Sequence, residues 1–378
     1  MHAYLGYKHH PSLIGRSMLL FLLLSLVTLL AACGGGATSS NSSTTSSNGS
    51  ATSSNGTTAS TCDKSVGMTL YSAQGYDSDA AKAFQQQTGI TTKLVDDSTG
   101  NILAKIAAEG SNPQWDVAWI DGNVTMQTLD DQGLLLKWHS PNTSNLTSQG
   151  MQYVPGDGSY YPTGLTTVGA IAYNTKHIPA AGLPKDWKDL LNPAYKNLIA
   201  MNDPAYSGPT YPLIAGVSQI LGGEDQGKQF FTSLKANGLK NFQTNDPTMN
   251  SVETGAREFG IVQDSIIYSA IKAGQPIGII YPTSGVVGLP GVIGIAAKGK
   301  HQACAEQFVN WVLSSAGQTV MTHHDPTDGD TYFIPVITGV TPVVTRQLTG
   351  INFVNLNVPQ WAAVETEYKQ WFHTNIVQ

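Results

Sequence analysis

The sequence predicts an α/β protein of two lobes, with a ligand cleft between them and a hinge made of two chain crossings. Three observations lead there. Between residues 68 and 121 short apolar strands alternate with helices in the order β-α-β-α-β. Two apolar, glycine-rich and uncharged segments, 163–173 (TGLTTVGAIAY) and 276–296 (PIGIIYPTSGVVGLPGVIGIA), bracket a stretch with helix and strand signals of its own. The 378 residues also suffice for two domains, at roughly 150 residues each.

Each element follows from its local pattern. Residues 68–71 form the first expected strand. Asp77 caps a helix that places Ala80, Ala81 and Phe84 on one face, with Gly89 beyond its end. Residues 90–95 form the second strand. A helix over 99–109 turns Ile102, Leu103 and Ile106 inward and stops at Gly110, and 116–120 is the third strand. This order predicts a parallel sheet covered on both faces, with ligands beyond the strand carboxyl ends. The two crossings make the lobes discontinuous: 62–168 with 283–378 in the first, 169–282 in the second.

Upstream of the body the chain changes character. A weakly basic opening (Lys8, Arg16) precedes an apolar run over 18–30 that is short for a membrane span, which takes about 20 residues; together they read as a secretory signal. Residues 34–61 use only Gly, Ala, Ser, Thr and Asn, a composition that cannot bury a core. As a flexible linker it would reach about 30 Å. Lys8 and Arg16 are the only full charges in 1–61, so of the 20 basic and 26 acidic residues 18 and 26 remain in 62–378, a net charge of −8. So sparse and acidic a body is ill-suited to a nucleic-acid backbone, which selects clustered cations.

The segment Leu30-Ala31-Ala32-Cys33 resembles the bacterial lipobox, which implies cleavage before Cys33 and a lipid on its sulfur, hence a lipoprotein anchored outside the bacterial cytoplasmic membrane. Cys62 and Cys304 remain, in an oxidising compartment where disulfides persist. A bridge between them is expected; two buried thiols are the alternative, and the absence of a C-x-x-C spacing argues against metal or redox chemistry.

The order of landmarks resembles the type II periplasmic binding proteins, in particular the ferric-iron and phosphonate branch of the solute receptors of ABC transporters. The segments that carry the resemblance are LYSAQGYDSDAAKAFQQQTGI (70–90), DVAWIDGN (116–123), LPKDWKDLLNPAYKNLIAMNDPAYSGPTY (183–211), GQPIGIIYPTSG (274–285) and AEQFVNWVLSSAGQTVM (305–321). It implies the two-lobe fold, a monomer, and a role as the binding component of an importer that delivers solute to a membrane permease.

Candidate contacts follow. In the segment 203–211 small residues and a proline precede a helical run, which puts free backbone N–H groups and the positive end of a helix dipole at Ser207, Gly208 and Thr210, an anion pocket. The resemblance implies the same, since family members hold phosphonate, phosphate or a synergistic anion there. Ser72 and Gln74 stand at the carboxyl end of the first strand. Asp121, Asp264, Tyr268 and Tyr281 fall at family contact segments, and an aspartate there can pair with an ammonium or ligate a hard cation. Iron-binding relatives place two adjacent tyrosines in the segment matching 263–268; this chain has Asp264-Ser265-Ile266-Ile267-Tyr268, and Gly75 stands where many place a histidine. The expected cargo is therefore a small anion, such as a phosphonate or phosphate ester, with ferric iron or a sensory or adhesive role as alternatives.

The acidic run His323-His324-Asp325-Pro326-Thr327-Asp328-Gly329-Asp330 lacks the ligand spacing of a calcium loop and is expected to be an exposed loop. No G-x-S-x-G, H-E-x-x-H or phosphate-loop motif occurs, so neither an enzyme nor a resident cofactor or metal is expected.

Overall fold

The computed structural model describes residues 61–346 and 348–378. The expectations for the leader, for Cys33 and for the linker through residue 60 lie outside the described residues.

Strand β1 (Met68–Ser72), helix α1 (Asp77–Thr88), β2 (Thr92–Asp96), α2 (Thr99–Glu109) and β3 (Val117–Asp121) follow the alternation within two residues. Helix α1 ends where Gly89, at φ 75°, turns left-handed and its N–H bonds Gln85 O. Helix α2 starts at Ser98, whose hydroxyl accepts the N–H of Asn101. The chain continues through α3 (Asn123–Asp131) and α4 (Ser148–Met151) into the first crossing, β4 (Tyr160–Asn174). The second lobe holds β5 (Ile199–Asn202), α5 (Thr210–Leu221), α6 (Glu224–Ala236), β6 (Lys240–Phe242), α7 (Asn245–Glu253), β7 (Phe259–Gln263), α8 (Asp264–Lys272) and β8 (Ile277–Ile280). The return crossing is β9 (Val286–Ile295), followed by α9 (Gln302–Val312), α10 (Ser315–Thr322), β10 (Phe353–Val354) and α11 (Val358–Phe372).

One sheet of ten strands runs through both lobes in the order β2-β1-β3-β9-β4-β7-β5-β6, with β10 on β9 and β8 on β4. Parallel pairing holds within β2-β1-β3 and within β7-β5-β6. The crossings correct the expectation of a parallel sheet: β9 is antiparallel to β3 and β4, and β4 to β7 and β8. A strand arriving from the other lobe enters from the opposite end, so it runs against the local βαβ strands.

Two aromatic-rich cores flank this central seam. The first gathers Phe84, Trp119, Phe308, Trp311 and Phe333, with Phe84 edge-on to Phe308 at 5.1 Å between ring centres. The second gathers Tyr211, Phe230, Phe231, Phe259 and Trp361. Helix α11 packs on both sides of the seam. Trp361, Ala362, Tyr368 and Phe372 belong to the second core, where Tyr211 Oη donates to Trp361 O at 2.5 Å and Ser218 Oγ and Tyr368 Oη lie 2.6 Å apart. On the other side Glu365 accepts from Thr125 and Thr128 of α3 at 2.7 Å each. The sulfurs of Cys62 and Cys304 are bonded across 242 residues, joining the approach to β1 to α9.

Candidate functional site

Residues offered separately by the sequence meet at the strand carboxyl ends. Because β1 and β3 are neighbours, with Ser72 opposite Trp119, Ser72, Gln74 and Asp121 form one chain of contacts. Gln74 donates its N–H to Ser72 Oγ (3.3 Å) and its Nε2 to Asp121 Oδ1 (3.0 Å), while its Oε1 accepts from Tyr76 Oη (2.7 Å). With Oε1 accepting and Nε2 donating, the orientation of the Gln74 side-chain amide is fixed, which orients Asp121.

From the second lobe comes the loop between β5 and α5. Asp203 O accepts the N–H groups of Tyr206 (3.1 Å) and Ser207 (3.0 Å), a tight turn that aims the loop at the first lobe. Ser207 Oγ accepts from Asn202 Nδ2 at 3.0 Å, and Thr210 opens α5 with no side chain capping its first turn. The lobes touch here: Gly100 N–H donates to Tyr206 O at 3.1 Å. A Cβ on Gly208 would stand 2.3 Å from Thr99 Oγ1 and 3.0 Å from Asp121 Cβ, so only glycine permits this approach. Thr99 Oγ1 is buried with no hydrogen-bond partner among the described residues.

Asp264 opens α8 and is fully buried. Arg346 holds it by two bonds, Nε to Oδ2 (2.8 Å) and Nη2 to Oδ1 (3.2 Å), and the Thr167 N–H adds a third at 3.1 Å. Tyr281 Oη donates to Asp264 Oδ2 (3.0 Å) and lies 3.4 Å from Tyr268 Oη. Burial, with Asp264 adjacent, pushes the Tyr281 phenol well above its ordinary range. Asp264, Tyr268 and Tyr281, offered as candidates beside the family resemblance, thus lie together. The carboxylate among them is already neutralised by an internal cation that sequence reading did not offer.

The acidic run is exposed only in part. His323, Asp325, Pro326 and Thr327 face solvent, whereas Gly329 is buried and Asp328 and Asp330 turn inward. Asp330 Oδ2 accepts the N–H of Gly75 (2.7 Å) and its Oδ1 accepts from Gln263 Nε2 (3.1 Å), so one carboxylate ties both lobes. His324 clamps the segment through Asp79 (2.8 Å) and Asp328 (3.3 Å). The correction has a physical cause: a strap crossing the cleft mouth must satisfy amides that it covers, and carboxylates do so.

Under the strap lies a cavity of about 590 Å³ lined by Gln74, Asp96, Asp97, Asp246, Asp328 and Asp330, and none of its described lining residues is Lys or Arg. Burial raises Asp121 and Asp330, and the charges of Asp121 and Asp328 push Asp330 further. Asp77 is pushed up to about 7, mainly by burial, against a hydrogen bond from Ser72. Among the described residues no three His, Cys, Asp or Glu side chains are grouped to hold a metal ion. Sequence reading missed Thr99, Asp330 and Arg346. For Asp330 the signal was the aspartate spacing itself; for Thr99, only its place at the start of a helix after a strand.

Comparison with known proteins agrees with this geometry. Residues 79–347 match the family model described as bacterial extracellular solute-binding protein. A periplasmic protein of Salmonella typhimurium named for 2-aminoethylphosphonate binding is 22% identical over 287 residues, 73% of this chain and 80% of its own. A Fe(3+)-binding periplasmic protein of Serratia marcescens is 24% identical over 265 residues, 68% and 76% of the two chains. Among solved structures, the periplasmic binding protein AfuA from Actinobacillus pleuropneumoniae, with fructose-6-phosphate bound, superposes with a TM-score of 0.73 at 23% identity, covering 82% of this chain and 98% of that one. Two α/β lobes joined by β4 and β9, a cleft at the strand carboxyl ends and the match over 79–347 together place this chain in the bacterial extracellular solute-binding protein family.

Proposed function

We propose that the protein is the binding component of an ABC importer, held at the membrane by a lipid on Cys33, and that it captures a small solute with an oxyanion at one end and an ammonium at the other. It passes that solute unchanged to a permease. The observation that carries this reading is the joint at Gly208. There the uncapped start of α5 from one lobe meets the start of α2 from the other, beside an unpartnered Thr99 hydroxyl. The N–H groups of Ser207 and Thr210, expected to be free, are met by Asp203 O and Ser207 O, and that of Gly100 by Tyr206 O, so the positive ends of the two helices and the Thr99 hydroxyl are what favour an oxyanion without any fixed cation. Asp121 closes the same joint, and Asp330 lies near enough that burial and the charge of Asp121 both push it up. An ammonium between these two carboxylates restores their ionised forms, so one solute satisfies both halves.

Closure follows from the same contacts. A solute touching α5 on one side and Asp121 on the other gains affinity only when the lobes meet, and so selects the closed form. The relative named for 2-aminoethylphosphonate binding supports the oxyanion end, and the fold neighbour AfuA was solved with fructose-6-phosphate bound. The relative named for Fe(3+) binding supports ferric iron as the second reading, although Tyr281, 3.4 Å from Tyr268, spends its hydroxyl on Asp264. A thermal-shift screen separates them: phosphate, 2-aminoethylphosphonate, phosphate esters, sulfate and ferric citrate. A ligand at 100 times its dissociation constant stabilises by about 2.7 kcal/mol. Selective stabilisation by an aminoalkylphosphonate supports the proposal, and a response to ferric citrate alone overturns it.

A further inference from the structure

A second cavity, of about 520 Å³, lies outside the solute cleft between α2, α3, α11 and the turn at Ala205 and Tyr206. Its floor is apolar: Ile106 and Leu129 are 2% and 5% exposed, and Leu103 packs against the same cluster. Its charges are spent on one another. Glu365, buried in α11, accepts from Thr125 Oγ1 and Thr128 Oγ1 at 2.7 Å each and pairs with Lys369 Nζ at 2.5 Å. Lys369 also lies 5.2 Å from the centre of the Tyr211 ring, and His373 turns its Nδ1 toward Asp203 Oδ2 at 3.6 Å. Tyr206, Thr366 and Gln132 add a phenol, a hydroxyl and an amide to the wall. An apolar floor with a few polar groups, in a volume between roughly 300 and 1,000 Å³, is the make-up of a site for a small organic ligand. The acidic cavity under the strap has the opposite character.

Both lobes enclose this cavity. Helices α2 and α3 come from the first, Ala205 and Tyr206 from the second. They touch at its edge, where Gly100 N–H donates to Tyr206 O at 3.1 Å and a Cβ on Gly100 would stand 2.0 Å from Ala205 O. Thr99, one residue earlier, is the group that meets Gly208 at the joint. The cavity therefore has its full wall only when the lobes are together, and an occupant touching both sides selects the closed form. We propose that this cavity is a second ligand site, for an uncharged amphiphilic molecule with an apolar body and one hydroxyl or amide group, and that its occupant is an effector that favours closure and so raises affinity for the solute. The site stands apart from the choice of solute in the cleft. Two ligands that favour the same state raise each other's affinity by the same factor, typically about 5- to 150-fold.

The probes are 2-naphthol, an apolar bicycle with one hydroxyl, and 2-naphthoate, the same body carrying a charge. Calorimetric titration of the solute-free wild type is expected to show one 2-naphthol per chain and binding of 2-naphthoate weaker by about tenfold or more, since no wall charge is left to pair with it. Ala104→Trp and Thr366→Trp fill the cavity from α2 and from α11 at exposed positions that do not line the cleft. Each should cut 2-naphthol affinity by about tenfold or more while the ligand-free melting temperature holds, and having two keeps the test decisive where one variant fails to fold. Small-angle scattering should show the wild type compacting on 2-naphthol, and saturating 2-naphthol should tighten the binding of 2-aminoethylphosphonate by about fivefold or more. No binding of 2-naphthol by the wild type, or unchanged affinity in the folded variants, overturns the site. Equal binding of 2-naphthoate overturns the uncharged class. Binding with neither compaction nor tighter solute overturns the effector role. Failure of 2-aminoethylphosphonate to bind at all counts against the solute reading of the preceding subsection, and the titrations and scattering with 2-naphthol still decide this one.

Discussion

Gly208→Ala offers the sharpest test of how the cleft closes. The backbone at 208 is not left-handed, so alanine meets no local strain. Its Cβ would instead stand 2.3 Å from Thr99 Oγ1, 2.8 Å from Thr99 Cβ and 3.0 Å from Asp121 Cβ. Carbon contacts relax at about 3.5–4.0 Å, so the lobes must part by about 1 Å at this joint. Overpacking of this kind costs about 1–3 kcal/mol. The open form has no such contact, so the cost falls on the closed form and appears as a loss of about 5- to 150-fold in solute affinity. Calorimetric titration with the strongest binder of the solute screen measures that loss. Small-angle scattering checks its origin, since the variant should keep the larger radius of gyration at solute concentrations that compact the wild type. Adding Thr99→Gly relieves the nearer contacts and should return part of the affinity, with Asp121 Cβ still in the way. Unchanged affinity in Gly208→Ala would refute the view that this glycine is where the lobes meet.

Three further outcomes are expected. Asp77, Asp121 and Asp330 all have pKa values raised by burial, so between the unfolded value of about 4 and the raised ones the native state binds more protons than the unfolded chain, and stability falls as pH rises. His324, raised by Asp79 and Asp328 against the effect of its burial, acts in the same direction; melting of the solute-free protein from pH 4.5 to 8.5 should show the decline, and a rising curve contradicts it. Arg346→Gln leaves Asp264 as an uncompensated buried charge and should cost about 3–5 kcal/mol in urea unfolding, most of which Asp264→Asn in the same chain should restore; equal stability of the single and double variants would show that the pair is not coupled. Replacing Cys62 and Cys304 by serine should cost about 2–5 kcal/mol by denaturant unfolding, and a neutral result would mean that the 242-residue loop is constrained by other contacts.

Local physics made part of this molecule readable. The elements from β1 to β3 were legible because most carry a boundary of their own, Gly89 behind α1 and Ser98 and Gly110 around α2; the cap expected at Asp77 is not made, since Tyr76 holds the N-cap position without a side-chain bond and Asp77 is buried in the first turn. The crossings were legible as apolar, uncharged runs, but their antiparallel pairing was not, since direction in a sheet depends on where the chain re-enters. Ser72, Gln74 and Asp121 could be named from their positions after strands. Thr99, Asp330 and Arg346 were harder to read, because each acquires its role from a partner far along the chain, Gly208, Gly75 with Gln263, and Asp264, and for Arg346 nothing local marks it. Helix α11 is the same case: its stripe says that it packs, and only Tyr211, Ser218, Thr125 and Thr128 say against what.

The bond between Cys62 and Cys304 also decides how the body answers a pull. A chain anchored on its N-terminal side transmits tension inward through residue 62. Without the crosslink that tension would reach β1 end-on and peel its backbone hydrogen bonds from β2 and β3 one after another. With it, the load leaves the main chain at Cys62 and enters α9, whose Cys304, Ala305, Phe308 and Val312 sit in the first core. Rupture then requires many contacts to fail at once. A body held by a lipid on Cys33, as proposed, would take such a pull in α9 and not at the strand ends that shape the cleft.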